Sequence, residues 1–267
     1  METYPLVSFC VIAYKEEKYI EQAIQAAFDQ DYPNMEIILS DDGSPDNTFD
    51  IMKKMAANYT GPHKIILNKN TPNLGPRDHY CKVLYELSHG DIIVLADGDD
   101  ISLPTRFEKQ VNFLDEHPEY AVVSAPMIYF DEEGEFRRGI GRGEIKAKDF
   151  VYGSPICHAP CMVRSEVMKS VGGYSVDSKL LRVEDYHLWF KIFAAGHKLY
   201  MMNECLYKMR DDKNAYQRRT LKSRFNEAYV KKIGFQMIKL PFYYQVFVLR
   251  PILIGLLPKY IYMLFHK

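Results

Sequence analysis

Residues 91–100 read DIIVLADGDD. The stretch from Asp91 to Ala96 is short, apolar and continuous, as in a strand buried on both faces. It ends abruptly in Asp97-Gly98-Asp99-Asp100. Three carboxylates so close together repel one another and are costly to dehydrate without a counter-charge. A divalent cation supplies that charge, because Mg²⁺ and Mn²⁺ take oxygen ligands and bridge one or two carboxylates to substrate phosphates. The i, i+2 spacing of Asp97 and Asp99 lets both side chains reach one side of an extended loop. Alone, the same residues also suit an exposed acidic turn, so their meaning depends on the flanking sequence.

Upstream the chain alternates between strand and helix patterns. LVSFCVIA (6–13) is a second buried strand, followed by the polar Lys15-Glu16-Glu17. Ile20, Ala23, Ile24 and Ala27 recur at helical spacing, and the helix should end near Asp31-Tyr32-Pro33 because the residue before proline avoids helical angles. MEIILS (35–40) is a strand, Asp41-Asp42-Gly43-Ser44-Pro45 a loop, and a helix passes through Ile51, Met52 and Met55. Lys64 to Asn68 is a further strand, Asn73 to Pro76 a turn, and Arg77 to Leu87 a helix. This alternation predicts an α/β fold, a mostly parallel sheet with helices on both faces. Ligands of such sheets bind outside the carboxyl ends of the strands. The polar residues after the strands ending at Ala13, Ser40 and Ala96 should therefore share one rim.

That rim collects further candidates. Asp41 and Asp42 can accept hydrogen bonds from a base or a ribose, while Ser44 and Asn47 suit a helix cap. Tyr14 and Glu16, after Ala13, offer a ring to stack on a nucleoside and a carboxylate to bind it. Arg77 adds a guanidinium suited to a carbonyl or phosphate. Glu184-Asp185 precedes an apolar face of Leu188, Trp189, Ile192 and Phe193, so both acids sit near a helix N-terminus, where the dipole favours the ionised form. An ionised carboxylate there can take a proton from an acceptor hydroxyl; acids that merely complement the dipole of a surface helix are the alternative.

Beyond residue 100 the pattern changes. A helix should run from Pro104 to about Glu116 and a long strand from Tyr120 to Phe130. Residues 131–155, rich in glycine and charge, read as a mobile loop or lid. A helix from Val183 to Ala195, strands at 199–202 and 206–209, and a basic helix from Ala215 to Lys239 follow. From Cys205 onward there are 13 Lys and Arg against 3 Asp and Glu, in a chain whose formal net charge is −1. A basic tail on an acidic body suits a polyanionic partner. No nucleic-acid reading module accompanies it, so an anionic membrane surface is preferred. The apolar, aromatic stretch from Leu240 to Phe265 is interrupted by Pro241, Arg250, Pro251 and Pro258, too often for a spanning helix. An interfacial segment, with Lys231, Lys232, Lys239, Arg250 and Lys259 near headgroups, suits it better. Docking on the catalytic body or on a second subunit, as in a homodimer, is the alternative. The five scattered cysteines fit reduced thiols, and no signal peptide is read at the N-terminus. The expected location is cytoplasmic, at the inner face of the cell membrane.

Taken in order, VSFCVIAYKEEKYIEQAI, EIILSDDGSPDNT, NLGPRDH, DIIVLADGDDISLP, VGGY (171–174) and VEDYHLWFKI resemble glycosyltransferase family 2, inverting enzymes of GT-A fold, of the type found in bacterial surface-polysaccharide synthesis. The resemblance implies a catalytic domain over 1–210, with a nucleotide-binding half (1–100) and an acceptor half (101–210), and a helical tail over 211–267. It implies that Asp99, with Asp97, binds Mn²⁺ or Mg²⁺. It also implies that Ala13, Tyr14, Glu16, Asp41, Asp42, Arg77, Asp97 and Gly98 bind a nucleoside-diphosphate sugar, by family habit a UDP-sugar. Asp185 matches the catalytic base. Gly172, Gly173, Tyr174 and Glu184 match the acceptor side, and Arg210, more loosely, a residue approaching the diphosphate. The implied acceptor is a glycan or a lipid-linked sugar. Asp100 makes the metal loop unusually acidic, and Pro76-Arg77-Asp78 replaces the small residues usual after the glycine. A nucleotidyltransferase or a dinucleotide-binding dehydrogenase would want a glycine-rich loop after Ala13, which is lacking. A non-catalytic nucleotide-sugar-binding protein at the membrane should have lost the acids that are present here.

Overall fold

The computed structural model describes residues 4–211 and 220–256. They form two compact units, residues 4–145, 156–173 and 197–211 in the larger and 146–155, 174–196 and 220–256 in the smaller.

The larger unit opens as the alternation predicts: β1 (Val7–Ala13), α1 (Ile20–Phe28), β2 (Met35–Asp41), α2 (Thr48–Asn58), β3 (Lys64–Lys69), α3 (Pro76–Lys82) and β4 (Ile92–Asp97). These strands are parallel in the order β3-β2-β1-β4. Strand side chains alternate between faces, and each face is covered. Phe9, Val11, Ile37 and Val94 join one core with Ile20 and Ile24 of α1 and Met52 of α2. On the other face Ser40 Oγ lies 2.5 Å from His79 Nε2 of α3, and Cys10 Sγ lies 3.4 Å from Ser88 Oγ. The helix expected from Arg77 to Leu87 loosens into a π-helical turn over Val83–Leu87.

β5 (Ile101–Ser102), α4 (Arg106–Glu116), β6 (Tyr120–Ser124), β7 (Met127–Asp131), β8 (Gly134–Arg138), β9 (Gly143–Glu144), β10 (Met162–Arg164) and α5 (Ser165–Ser170) follow. β11 (Lys198–Met201) and β12 (Tyr207–Arg210) complete the unit. The main sheet runs β3-β2-β1-β4-β10-β6-β11-β9, with β10 antiparallel to both neighbours. A second sheet runs β5-β12-β7-β8.

Two expectations are corrected. The long strand from Tyr120 to Phe130 is two strands in different sheets, because Pro126 has no N–H to donate and the chain changes sheet there. Residues 131–155 are not one loop. β8 pairs antiparallel with β7, β9 pairs with β11, Ala147–Phe150 is a 3₁₀ turn, and Ile145, Phe150 and Val151 are buried. The surrounding charge and glycine obscure those apolar residues.

The smaller unit contains α6 (Glu184–Ala194), α7 (Leu221–Met237), a 3₁₀ segment at Phe242–Val248 and α8 (Arg250–Leu256). Its core is aromatic: Phe150 lies 4.7 Å from Phe190, which packs on Tyr186 at 4.8 Å and on Phe235 of α7 at 6.1 Å. Residues 215–219 of the expected basic helix and 257–265 of the apolar tail lie outside the described residues. Among the described residues no helix is long and apolar enough to cross a membrane.

Candidate active site

Strand register sets the rim of the larger unit. Ala13, the last residue of β1, stands opposite Asp41 of β2, and Ile12 stands opposite Asp97 of β4. The chain leaves β1 with Lys15 at φ 63°, and the Lys15 and Glu16 amides then donate to Ser44 Oγ and Thr48 Oγ1, each at 2.9 Å. Glu16 is thereby fixed over the carboxyl ends of the strands. Burial, and then the charges of Asp99 and Asp97, push its carboxyl up to about 7. Tyr14 is exposed on the same edge.

The acidic loop after β4 separates its three carboxylates. Asp97 is exposed, Asp99 half-buried and Asp100 buried. Asp100 points inward and accepts a hydrogen bond from the Arg210 amide at 2.8 Å. Burial, then Asp97 and Asp99, raise its carboxyl to about 9, so Asp100 joins the interior while Asp97 and Asp99 face the rim. Gly98 is required by packing, since a Cβ there would lie 2.8 Å from the Ala13 Cβ and 3.1 Å from Ile20 Cδ1.

Arg210 is the partner of this loop. β12 pairs antiparallel with β5, which begins immediately after Asp100. Arg210 donates from Nε to the Asp99 carbonyl at 3.1 Å and from Nη2 to Gln22 Oε1 at 2.8 Å. Its guanidinium lies 4.0 Å from the Tyr19 ring centroid and 4.4 Å from that of Phe130. A planar cation is thus clamped beside the carboxylates.

The two acids after β2 differ in use. Asp42 accepts from Asn70 Nδ2, the Leu74 amide and the Gly75 amide at 2.8–2.9 Å, and its carbonyl accepts from Asn73 Nδ2. It pins the 70–75 turn. Asp41 accepts from the Ser44 amide through Oδ2, while its buried Oδ1 meets no partner among the described residues. A lone acceptor of this kind is costly unless a ligand donor completes it. Arg77 is held by its neighbour, with Nε and Nη2 each 2.8 Å from an oxygen of Asp78.

Gly172 and Gly173, expected on the acceptor side, adopt φ of 71° and 51°. Their amides donate to the carbonyls of Lys169 and Met168, closing the end of α5, which is glycine's usual role at that position. In the smaller unit Tyr174 is buried, and Glu184 and Asp185 occupy the first turn of α6. Burial raises the Glu184 carboxyl above its ordinary value. Asp185 lines a cavity of about 380 Å³, in the range of small-molecule sites (~300–1,000 Å³).

Several participants are not singled out as site residues by the sequence. His79 contacts Ser40 directly and Asn70 donates to Asp42, which ties the end of β2 to the segments that follow β3. Arg106, fully buried, ties Ser102 Oγ (2.7 Å) to the carbonyls of Ala159 and Cys161, and burial lowers its guanidinium to about 10. Nothing in the helical spacing of Ile20, Ala23, Ile24 and Ala27 singles out Tyr19 or Gln22.

Among the described residues no cluster of three or more His, Cys, Asp or Glu forms a ready metal cage. The residues nonetheless fit a hard cation shared with a phosphate-bearing ligand. Such ions commonly use one or two carboxylates and take their remaining oxygens from substrate and water. Burial first, and then the neighbouring Asp97 and Asp99, raise the carboxyls of Glu16 and Asp100.

The family and the fold are shown by comparison with known proteins. The glycosyl transferase family 2 model matches residues 8–172. EpsE of Bacillus subtilis, named as a glycosyltransferase, is 34% identical over the whole chain and 95% of its own length. WfaP of Escherichia coli, named as a UDP-Glc:α-D-GlcNAc-diphosphoundecaprenol β-1,3-glucosyltransferase, is 26% identical over 72% of each protein. Among solved structures, Staphylococcus aureus TarS 1–349 with UDP-GlcNAc superposes with a TM-score of 0.68 at 18% identity, over 94% of this chain and 71% of that one. The mannosyltransferase PcManGT of Pyrobaculum calidifontis, in complex with GDP-Man and Mn²⁺, gives 0.67 at 19%, over 93% and 74%. These structures share the GT-A fold, and with the family match over most of the sheet and the acidic loop, the chain belongs to glycosyltransferase family 2.

Proposed function

We propose that the protein is an inverting glycosyltransferase that moves a sugar from a UDP-sugar to a hydroxyl of a lipid-linked glycan during cell-surface polysaccharide assembly. The observation that carries the reading is the set of acids on one rim, Glu16, Asp97 and Asp99, close enough that Asp99 and Asp97 add to burial in raising Glu16 to about 7. A diphosphate alone would be repelled there, so donor binding requires a cation, to be held by Asp97 and Asp99. When bound, that divalent ion would neutralise charge developing on the leaving nucleoside diphosphate.

The protein's own groups do the rest. The free Oδ1 of Asp41 is suited to accept from a donor group of the nucleoside, and exposed Tyr14 offers a stacking face. Asp42 acts indirectly by fixing the 70–75 turn. Arg77 is assigned to the edge of the base site, oriented by Asp78. Arg210 lends positive charge to the diphosphate. Asp185 takes the proton of the acceptor hydroxyl as its oxygen attacks the anomeric carbon from the face opposite the leaving group. The bond from that carbon to the diphosphate oxygen breaks, its electron pair leaves with UDP, and the configuration inverts. UDP-GlcNAc bound to TarS and the donor in WfaP's name support uracil, and the acceptor in WfaP's name supports a lipid-linked glycan. Exposed Phe242, Tyr243, Val246 and Leu253 support a membrane-surface role for the C-terminal region.

The test is release of nucleoside diphosphate from a panel of UDP- and GDP-sugars with Mn²⁺ present, for the wild type and Asp185→Asn. One or more UDP-sugars should be turned over, and the variant should lose about 10²–10⁴-fold in rate with UDP affinity retained. Exclusive use of GDP-sugars would overturn the base assignment. Parallel loss of UDP binding and rate would remove Asp185 from the role of base.

A further inference from the structure

The cavity that holds Asp185 is more basic than a sugar hydroxyl requires. Its walls include Arg182, Arg224 and Arg250 against only two carboxylates, Asp185 and Glu227. Glu227 is already shared, lying 3.4 Å from Arg224 Nη1 and 3.7 Å from Lys231 Nζ. Arg250 donates to the Tyr152 carbonyl at 3.1 Å, and Lys231 contacts the same carbonyl at 3.4 Å. Burial, together with Arg250 and Arg224, pulls the Lys231 ammonium down to about 8, so cations are crowded behind the cavity. Guanidinium groups converging on one space suit the oxygens of a phosphate or diphosphate.

A second cavity adjoins the first and has the opposite chemistry. It measures about 410 Å³ and is lined by Val246, Phe247, Leu253, Ile254 and Arg250. Arg250 and Ile254 belong to both walls. Val246 and Leu253 are exposed by 66% and 62%. One arginine thus stands at the junction of a cationic chamber and an apolar groove, with the carboxylate of Asp185 inside the chamber.

We infer that the two cavities form the subsite for the anionic head and first carbons of an amphiphilic acceptor, with Arg182, Arg224 and Arg250 binding its diphosphate and Val246, Phe247 and Leu253 receiving its chain. The inference deepens the reading of the protein as a glycosyltransferase with a lipid-linked acceptor and rests on it. It names the acceptor as a lipid diphosphate, and places the sugar next to that diphosphate in the chamber with Asp185. Neither half of the site suffices for an uncharged glycan. A plain membrane surface would not require a basic cavity with Asp185 in its wall.

The experiment is isothermal titration of the full chain with farnesyl diphosphate, inorganic diphosphate and farnesol, without donor. Farnesyl diphosphate should bind at least about tenfold more tightly than either fragment, and Arg250→Gln and Arg182→Gln should each weaken it by about tenfold. Leu253→Asp, at an exposed position, should weaken farnesyl diphosphate and leave inorganic diphosphate unchanged. Equal binding of farnesyl and inorganic diphosphate would overturn the groove, and unchanged affinity in the arginine variants would overturn the chamber. Competition by phosphatidylglycerol vesicles, with the same arginine dependence, would reassign the site to general lipid headgroups and overturn the proposal. UDP titration with Mn²⁺ is run on each variant. Its retention shows that the variants are folded, and its failure in the wild type would sink the donor reading while leaving the farnesyl diphosphate result to stand or fall by itself.

Discussion

A methyl group added at Gly98 would stand 2.8 Å from the Cβ of Ala13 and 3.3 Å from the Ile12 carbonyl, neither of which can swing away. Gly98→Ala should therefore cost about 1–3 kcal/mol, as overpacking does, read as a lowered midpoint in chemical denaturation; an unchanged midpoint would show that the loop after β4 can shift freely. Asp42 has a different task from its neighbour. Its carboxylate accepts three hydrogen bonds from the 70–75 turn. Asp42→Ala should cost at least about 1.5–3 kcal/mol and reduce UDP affinity as the turn loosens, whereas retention of both would assign the turn's shape to other residues. The acids at the ends of β2 and β4 were legible because a run of carboxylates after an apolar strand is a local signal. Which of them turn inward was not. Asp100 is drawn inside by an amide 110 residues later, and Asp41 differs from Asp42 only in where the turn at 73–75 comes to lie.

At the scale of elements, the parallel half of the sheet was readable because β1, β2 and β4 are each buried along nearly their whole length. Their apolar runs stand clear of the polar turns around them. β5, β9 and β10 were not, since elements of 2 or 3 residues carry no periodicity. Their pairing is dictated by distant neighbours, and the pairing of β5 with β12 is what brings Arg210 to the acidic loop. Reading across Pro126 joined two strands that belong to different sheets. In the smaller unit, α6 and α7 approach closely at one point, where a Cβ on Gly234 would lie 2.3 Å from the ring of Phe190. Gly234→Ala gains helix propensity, about 1 kcal/mol, but must displace a buried ring. The collision should dominate, with a net loss of about 1–3 kcal/mol. A thermal midpoint equal to or above that of the wild type would mean that the two helices can separate at little cost.

Across the whole molecule, titration links the core to pH. Burial lowers the imidazole of His187 to about 4, with Lys191 adding to the effect and Asp177 opposing it. His187 is therefore neutral in the folded chain while it gains a proton near its ordinary value when unfolded. Stability should fall as pH drops through the window from about 6.5 to 4, because the unfolded state binds the proton first. His187→Gln should flatten that part of the pH profile relative to wild type, and identical slopes would show that the ring is solvated in the native state. The asymmetry of charge was legible from composition alone, since a basic C-terminal region needs only counting. The joining of Arg182, Arg224 and Arg250 around Asp185 was not, because it unites three segments whose spacing follows no motif. Uptake of a donor at the β4 rim only together with a cation is read by titrating UDP into wild type and Asp99→Ala, with Mn²⁺ and again with a chelator. Mn²⁺ should strengthen UDP binding to the wild type, and Asp99→Ala should abolish the gain. Equal wild-type affinity with and without Mn²⁺, or a gain that survives in the variant, would contradict that requirement for a cation.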